Sequence, residues 1–246
     1  MFLPGLGVFV RRQASRLWQR GHRQAAIRLA TWLVRIRPGD PYAWSALSDY
    51  LIHDKQYGRD EAILQGALER HPGTGELRYQ MARVLAEQSR QEEASRILEA
   101  QRQADPDSLF PYLGLADLAA ARRDCEEAMK QAAMARPRIP STYPWAKLHL
   151  ATDLFFCLEA RQDVKSLLSE AIDSLPTSHP MAAGSHFLLG ALLEHDGMPE
   201  AADNLKFARR HWNRASDFEE HLQQTRRLLA KADATKATKA PPADLT

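Results

Sequence analysis

Histidine and carboxylate side chains offer the first candidates for chemistry in this sequence. His186 and His195 lie nine residues apart, and Glu194 and Asp196 flank the second histidine. Such side chains bind metal ions when they converge on one point. A nine-residue interval covers more than two helical turns, and His186 falls at a position typical of a core. The sequence therefore favours two structural histidines over a metal site.

The two cysteines are the next candidates. Cys125 and Cys157 are the only thiols in 246 residues, which excludes a protein built on several disulfides. Two interpretations stay open, a redox pair and two small buried thiols, and the sequence favours the buried thiols. Reduced thiols are the default of a cytoplasmic protein, so that location is predicted.

Catalytic motifs are absent from the sequence. It contains no Gly-x-x-x-x-Gly-Lys phosphate loop, no Gly-x-Gly-x-x-Gly, no Gly-x-Ser-x-Gly and no His-Glu-x-x-His. The sequence therefore predicts a protein that is not an enzyme and that needs no cofactor or metal.

Prolines divide the chain into segments of constant length. Pro38, Pro72, Pro106 and Pro140 follow one another at intervals of 34 residues, and Pro176 follows after 36. A fixed period of this size indicates a repeat architecture. Each interval is long enough for two short helices, and the residue before proline disfavours helical backbone. The prolines therefore predict where each pair of helices ends.

Segment 73–105 shows the helical pattern within one period. An apolar stripe occurs at helical spacing, then the polar run 87–90, then a second stripe. The stripes consist of Leu77, Met81, Val84 and Leu85, and of Ala94, Ile97 and Leu98. No stretch alternates apolar and polar residues for long, so β-strands are not expected.

The period and its residues resemble the tetratricopeptide repeat. That family has a large residue at position 4, small residues at 8 and 20, alanine at 27 and proline at 32. Matching residues are Trp44, Ser48, Ala67 and Pro72; Ala82, Ala94 and Pro106; and Tyr112, Ala116, Ala128, Ala135 and Pro140. Asp60 at position 20 and Gln101 at position 27 depart from the pattern. The resemblance implies an all-α, right-handed α-solenoid of about six helical hairpins.

The resemblance and the composition of the flanking segments together predict the domain organisation. Residues 15–212 are predicted to form the solenoid, preceded by an apolar and arginine-rich lead-in at 1–14 that lacks the order of an export signal. Residues 213–231 are predicted to form a C-terminal capping helix, and residues 232–246 a disordered tail.

The resemblance further implies a concave groove lined by the first helix of each hairpin. The residues read onto its exposed positions are aromatic, acidic and histidine side chains with one arginine. They are Tyr42, Asp49, His53, Tyr79, Arg83, Glu87, Phe110, Asp117, His149, Asp153, Phe156 and Phe187. Such a groove would suit a peptide with basic and apolar side chains, and a solvated face without a dedicated ligand is the alternative.

Charge is distributed unevenly along the chain, although the net charge is only +2. Residues 1–39 contain eight arginines and no acid, residues 40–205 have a net charge of −10, and residues 206–246 of +4. We call the predicted arginine surface the basic end; it consists of Arg11, Arg12, Arg16, Arg20, Arg23 and Arg28. Its candidate partners are an acidic protein, a second copy of the chain and an anionic membrane. Nucleic acid is disfavoured because only Trp18 and Trp32 could stack on bases.

Together these features predict a protein-interaction scaffold or assembly adaptor that uses the groove and the basic end. The alternative is a constitutive subunit of a larger complex, self-associating or docked through the basic end. The predicted location is cytoplasmic, with the inner face of a membrane as an open alternative.

Overall fold

The computed structural model describes residues 6–141, 143–177, 180–212 and 215–239. These residues form α-helices joined by short turns and contain no β-strand. The helices are α1 (Leu6–Gln19), α2 (Arg23–Ile36), α3 (Pro41–His53), α4 (Tyr57–Arg70), α5 (Gly75–Glu87), α6 (Gln91–Ala104), α7 (Leu109–Ala121), α8 (Cys125–Ala135), α9 (Pro144–Leu154), α10 (Arg161–Ser174), α11 (Pro180–His195), α12 (Ala201–His211) and α13 (Ala215–Lys239). The predicted all-α fold of helical hairpins is confirmed.

The turn inside a hairpin repeats with the same period as the prolines. One residue in each of the first four turns has left-handed backbone, and these residues, Gly21, Lys55, Ser89 and Arg123, are spaced 34 apart. The following amide donates to a carbonyl of the preceding helix, as in His22 N–H to Leu17 O at 2.9 Å. This is the Schellman end of a helix. The repeat is therefore present in backbone conformation as well as in sequence.

The aromatic residue at position 4 is tied to the proline that precedes its hairpin. The Trp44 indole N–H donates to the Pro38 carbonyl at 2.7 Å, and the Tyr112 hydroxyl donates to the Pro106 carbonyl at 2.9 Å. Both aromatic side chains are buried. A buried ring with one polar atom needs such a partner, which explains why a large aromatic residue follows each of these two prolines.

The two departures from the repeat pattern have local compensations. Buried Asp60 accepts a hydrogen bond from the Ser48 hydroxyl at 2.7 Å, so two positions that usually hold small residues form a polar pair. Buried Gln101 lies against Gly75, where a Cβ would collide with its amide. Glycine thus provides the space that the longer side chain at position 27 requires.

Contacts divide the chain into two compact units, Met1–Leu118 and Ala119–Thr246, with the boundary inside α7. The first unit has a core that includes Ile27, Leu47, Leu64 and Leu98 among its buried residues. In the second unit, an aromatic cluster forms where α11, α12 and α13 pack; its buried members are Phe187, Ala191, Ala208, Phe218 and Leu222.

The cysteines differ from the prediction of free buried thiols. Cys125, at the start of α8, and Cys157, between α9 and α10, form a disulfide with a Cα–Cα distance of 5.6 Å. The connection that carries Cys157, residues 155–160, is longer than the three-residue turns of the earlier hairpins. This extension brings the second sulfur to α8. The argument from reduced thiols to a cytoplasmic location is therefore lost.

The last helix is longer than predicted. α13 continues to Lys239 and includes residues 232–239, which were expected to be disordered. Asp233 anchors this part, because its carboxylate accepts from Arg161 Nη2 at 2.9 Å and lies 2.7 Å from His195 Nε2.

At the other end of the chain, α1 begins inside the predicted lead-in. The rest of the lead-in and of the tail, residues 1–5 and 240–246, lies outside the described residues. Within the described ranges, no helix has the length and apolar character needed to cross a bilayer.

Candidate functional site

The predicted groove residues of the first unit lie on the first helices of its hairpins. Residues 42, 49 and 53 share one face of α3, residues 83 and 87 share one face of α5, and residues 110 and 117 share one face of α7. Spacings of three, four and seven residues place side chains on one side of a helix. Within the first unit, the predicted groove residues of each helix therefore lie on one side of that helix.

An ion pair joins α3 and α5 in the middle of this surface. Arg83 Nη1 lies 2.5 Å from Asp49 Oδ1, and the same nitrogen donates to Gln80 Oε1 at 2.9 Å. Burial lowers the pKa of Arg83, but the charge and hydrogen bond of Asp49, together with Tyr79 and Asp117, more than offset this effect, so the pKa of Arg83 is raised. The ion pair leaves Asp49 less free to bind a basic partner than the sequence suggested.

Tyr79 does not belong to the exposed surface. Its side chain is only 1% exposed, and its hydroxyl donates to Asp117 Oδ2 at 3.0 Å. Its ring lies 6.1 Å from that of Phe110 and 5.8 Å from the Arg83 guanidinium. The prediction that Tyr79 contacts a partner is corrected: this residue is buried against Phe110, Arg83 and Asp117. Gly114 permits this close packing, because a Cβ there would lie 2.7 Å from Leu98 Cδ2 and 3.2 Å from Tyr79 Cδ2.

Glu76, which the repeat pattern would place among the exposed positions of the groove, is instead a buried acid. It occupies α5 one turn before Gln80, whose amide donates to the Ser45 hydroxyl at 2.7 Å. Burial raises the pKa of Glu76 to about 7, against the lowering effect of a hydrogen bond with Ser45. Its position at the start of a first helix was visible in the sequence, but its burial depends on the packing of α3 against α5.

Four predicted residues of the first unit are accessible to a partner. Tyr42 is 40% exposed, His53 and Glu87 are exposed, and Asp49 is half-buried. Arg11 lies over the Tyr42 ring at 5.4 Å and pairs with Asp40 at 2.9 Å. Phe110 is half-buried beside Tyr79. We call Tyr42, Asp49, His53, Glu87 and Phe110 the inner face.

The predicted groove residues of the second unit are less uniform. His149 and Asp153 lie one turn apart on α9 and are half-buried, while Phe156, after the end of α9, is exposed. Phe187 is only 5% exposed, and its ring packs 4.9 Å from Trp212 and 5.6 Å from Phe218. The prediction of Phe187 as a binding residue is therefore corrected to a core residue.

The two histidines considered as metal ligands have different neighbours. His186 Nδ1 lies 2.8 Å from Asn204 Oδ1, and the centroid of its ring lies 4.0 Å from that of the Phe207 ring, which is tilted relative to it. His195 Nε2 instead contacts Asp233 on α13. Each ring thus stabilises the packing of different helices in the second unit.

The arginines of the basic end divide into two groups. Arg11 pairs with Asp40, and Arg23 lies 3.8 Å from Asp54 and over the Trp18 ring at 5.6 Å. The other four are Arg12, Arg16, Arg20 and Arg28, all of which are exposed. The structure therefore keeps most of this positive charge at the surface.

Comparison with known proteins identifies the repeat. Residues 51–112 match the tetratricopeptide repeat family. This segment is similar to tetratricopeptide repeats. The matched segment includes α5 and α6 and the turn at Ser89, and the resemblance seen in the sequence is confirmed. No protein of curated function matches the sequence.

Solved structures show the same fold. Yeast Tom70 superposes with a TM-score of 0.60 at 13% identity over 89% of this chain and 45% of its own. The Cut9–Hcn1 hetero-tetramer of the APC/C gives 0.59 at 12% identity over 92% and 42%. A tetratricopeptide repeat protein from Parabacteroides merdae gives 0.55 at 15% identity over 92% and 85%. The chain spans less than half the length of the first two proteins, and at these identities only the tetratricopeptide repeat fold is shared.

Proposed function

We propose that this chain is a protein-interaction scaffold or assembly adaptor that binds partner peptides on the inner face. The observation that carries the proposal is the exposure of Tyr42 and Glu87 on adjacent first helices, above a floor that Tyr79 and the Asp49–Arg83 pair hold in place. An exposed aromatic ring supplies contact area at low entropic cost. Asp49 and Glu87 are the carboxylates of the inner face, and Asp49 is paired with Arg83, so exposed Glu87 leaves the face with negative charge that favours a peptide with basic and apolar side chains.

Replacing two of the exposed residues tests this proposal. We expect Tyr42→Ala and Glu87→Lys each to weaken capture of the partner by roughly tenfold, the effect of losing a moderate interface anchor. Both side chains are exposed, so the fold should survive the substitutions. Substitution of buried Tyr79 would instead confound binding with unfolding.

The measurement is quantitative affinity purification with the wild-type chain and each variant, followed by titration of the captured protein. Glu69→Lys is the matched control, because Glu69 is exposed on α4, outside the inner face, and the charge change is the same. Equal capture by Tyr42→Ala, Glu87→Lys and wild type would contradict binding at the inner face.

The basic end supports a second function, docking to an anionic partner as a subunit of a larger complex. Its specific support is the group of exposed arginines on α1 and α2. Reversing the charge of two arginines, in Arg12→Glu with Arg16→Glu, would abolish such docking and leave binding at the inner face intact. Acidic proteins, a second copy of the chain and an anionic membrane all offer the required charge.

A further inference from the structure

The outward face of α1 combines apolar and cationic side chains. Phe9 is 59% exposed, and Val8, Arg12 and Arg16 are also exposed. At 3.6 residues per turn these four lie within an arc of about 100°. The opposite side of the helix carries buried Gly7, Val10 and Ala14. An ordinary amphipathic helix has a polar solvent side, but the solvent side of α1 carries two large apolar residues beside its charges.

The outward face of α2 repeats this combination. Trp32 is 45% exposed, and Arg28 and Arg35 are exposed at four residues before it and three residues after it. That spacing places the three side chains on one face of the helix. The buried side of α2 consists of Ala26, Ile27, Ala30, Leu33 and Val34. Neither helix has an acidic residue.

Among the described residues, neighbouring helices do not neutralise the charge on these two faces. The ion pairs made by the first two helices involve Arg11 and Arg23, whose partners are Asp40 and Asp54. Arg12, Arg16, Arg28 and Arg35 have no ion pair among the residues that the structure describes. A partner must therefore accept guanidinium groups and large apolar side chains at the same time.

We propose that the outward faces of α1 and α2 bind the surface of an anionic lipid bilayer. Phe9, Val8 and Trp32 would contact the boundary between headgroups and acyl chains, and the four arginines would contact lipid phosphates. The bilayer interface offers negative charge and apolar contact side by side, which an acidic protein surface offers only if it is also apolar. This proposal rests on the docking function proposed for the basic end, and it selects the anionic bilayer from the three candidate partners.

Arginine and apolar substitutions separate the two components of this interaction. Each basic residue near an anionic surface contributes about fivefold to binding, so Arg12→Glu with Arg16→Glu should weaken vesicle binding by at least about 25-fold. Val8→Ser with Phe9→Ser should weaken it by about tenfold or more, because the apolar contact is lost. Phe9→Trp should retain binding.

The test is co-sedimentation of the full chain with vesicles of phosphatidylcholine containing about one third phosphatidylserine, and with vesicles of phosphatidylcholine alone, at physiological salt. Arg70→Glu with Arg96→Glu is the charge control, on exposed positions of α4 and α6. Met198→Ser is the apolar control. Circular dichroism verifies that each variant is folded.

We expect sedimentation with the anionic vesicles only, strong loss in both α1 variants, and wild-type binding in both controls. Absence of sedimentation with anionic vesicles would overturn the proposal. So would equal binding of Val8→Ser/Phe9→Ser and wild type, because adsorption would then be purely electrostatic. Capture of an acidic protein that depends on Arg12 and Arg16, without vesicle binding, would assign the surface to that protein. Loss of partner capture in Tyr42→Ala reports separately on the inner face.

Discussion

At the scale of single residues, burial changes the pKa of two carboxyl groups in the first unit. Burial raises the pKa of Asp60 from 3.8 to about 6, and the hydrogen bond from Ser48 opposes this only in part. Burial also raises the pKa of Glu76 to about 7. Both carboxyls therefore bind a proton more tightly in the folded chain than in the unfolded chain. Their contribution to stability is present at low pH and is lost as the pH rises through the folded pKa.

Asp60→Asn should remove part of this pH dependence. In the wild type, Asp60 loses its proton between about pH 4 and pH 7 and the fold is weakened, whereas asparagine stays neutral. The free energy of unfolding of the variant relative to wild type should therefore increase by about 1–2 kcal/mol from pH 5 to pH 8. Urea denaturation at the two pH values measures it. Asp107→Asn, at an exposed turn position, is the control; a difference for Asp60→Asn that stays constant with pH would contradict this explanation.

At the scale of elements, the hairpin turns determine how each pair of helices closes. The left-handed residue of the turn is glycine in the first hairpin, with φ 82°, but serine at position 89, with φ 63°. A side chain in this backbone conformation costs free energy that glycine avoids. The turns at Lys55, Ser89 and Arg123 therefore keep a local strain that the surrounding packing overcomes.

Ser89→Gly should stabilise the chain by about 1 kcal/mol, because glycine adopts left-handed backbone without steric conflict. The same substitution inside α6, Ser95→Gly, is a matched control and should destabilise by about 0.5–1 kcal/mol. Thermal unfolding of the two variants measures both effects. Stability changes of the same sign would show that left-handed backbone is not the cause.

At the scale of the whole molecule, the two units are stabilised differently. The described cysteines both lie in the second unit, where the disulfide joins α8 to the connection after α9. The first unit depends on its apolar core and on polar contacts such as Arg90 with Glu61 at 2.8 Å. Redox conditions should therefore act on the second unit more than on the first.

Cys125→Ser with Cys157→Ser should destabilise the second unit by roughly 3–4 kcal/mol, because the bond closes a loop with a sequence separation of 32 and restricts the unfolded chain. Hydrogen exchange of the wild type with and without reductant, and of the double variant, measures the effect by segment. We expect faster exchange in α8 and α9 and a smaller change in α3 to α6. Equal protection in oxidised and reduced chains would contradict a structural role of the disulfide.

The sequence by itself determined the hairpins, because their signals are local. Periodic prolines, small residues at close helix contacts and apolar stripes act within about 34 residues of each other. It also located the exposed arginines of α1, since charge excludes most side chains from a core. Only the tertiary structure decided that Tyr79 and Phe187 are buried, that Arg83 pairs with Asp49, and that the cysteines bond. Each of these features depends on which side chain of a neighbouring helix packs against the residue. The identity of a residue does not determine its contacts with another helix.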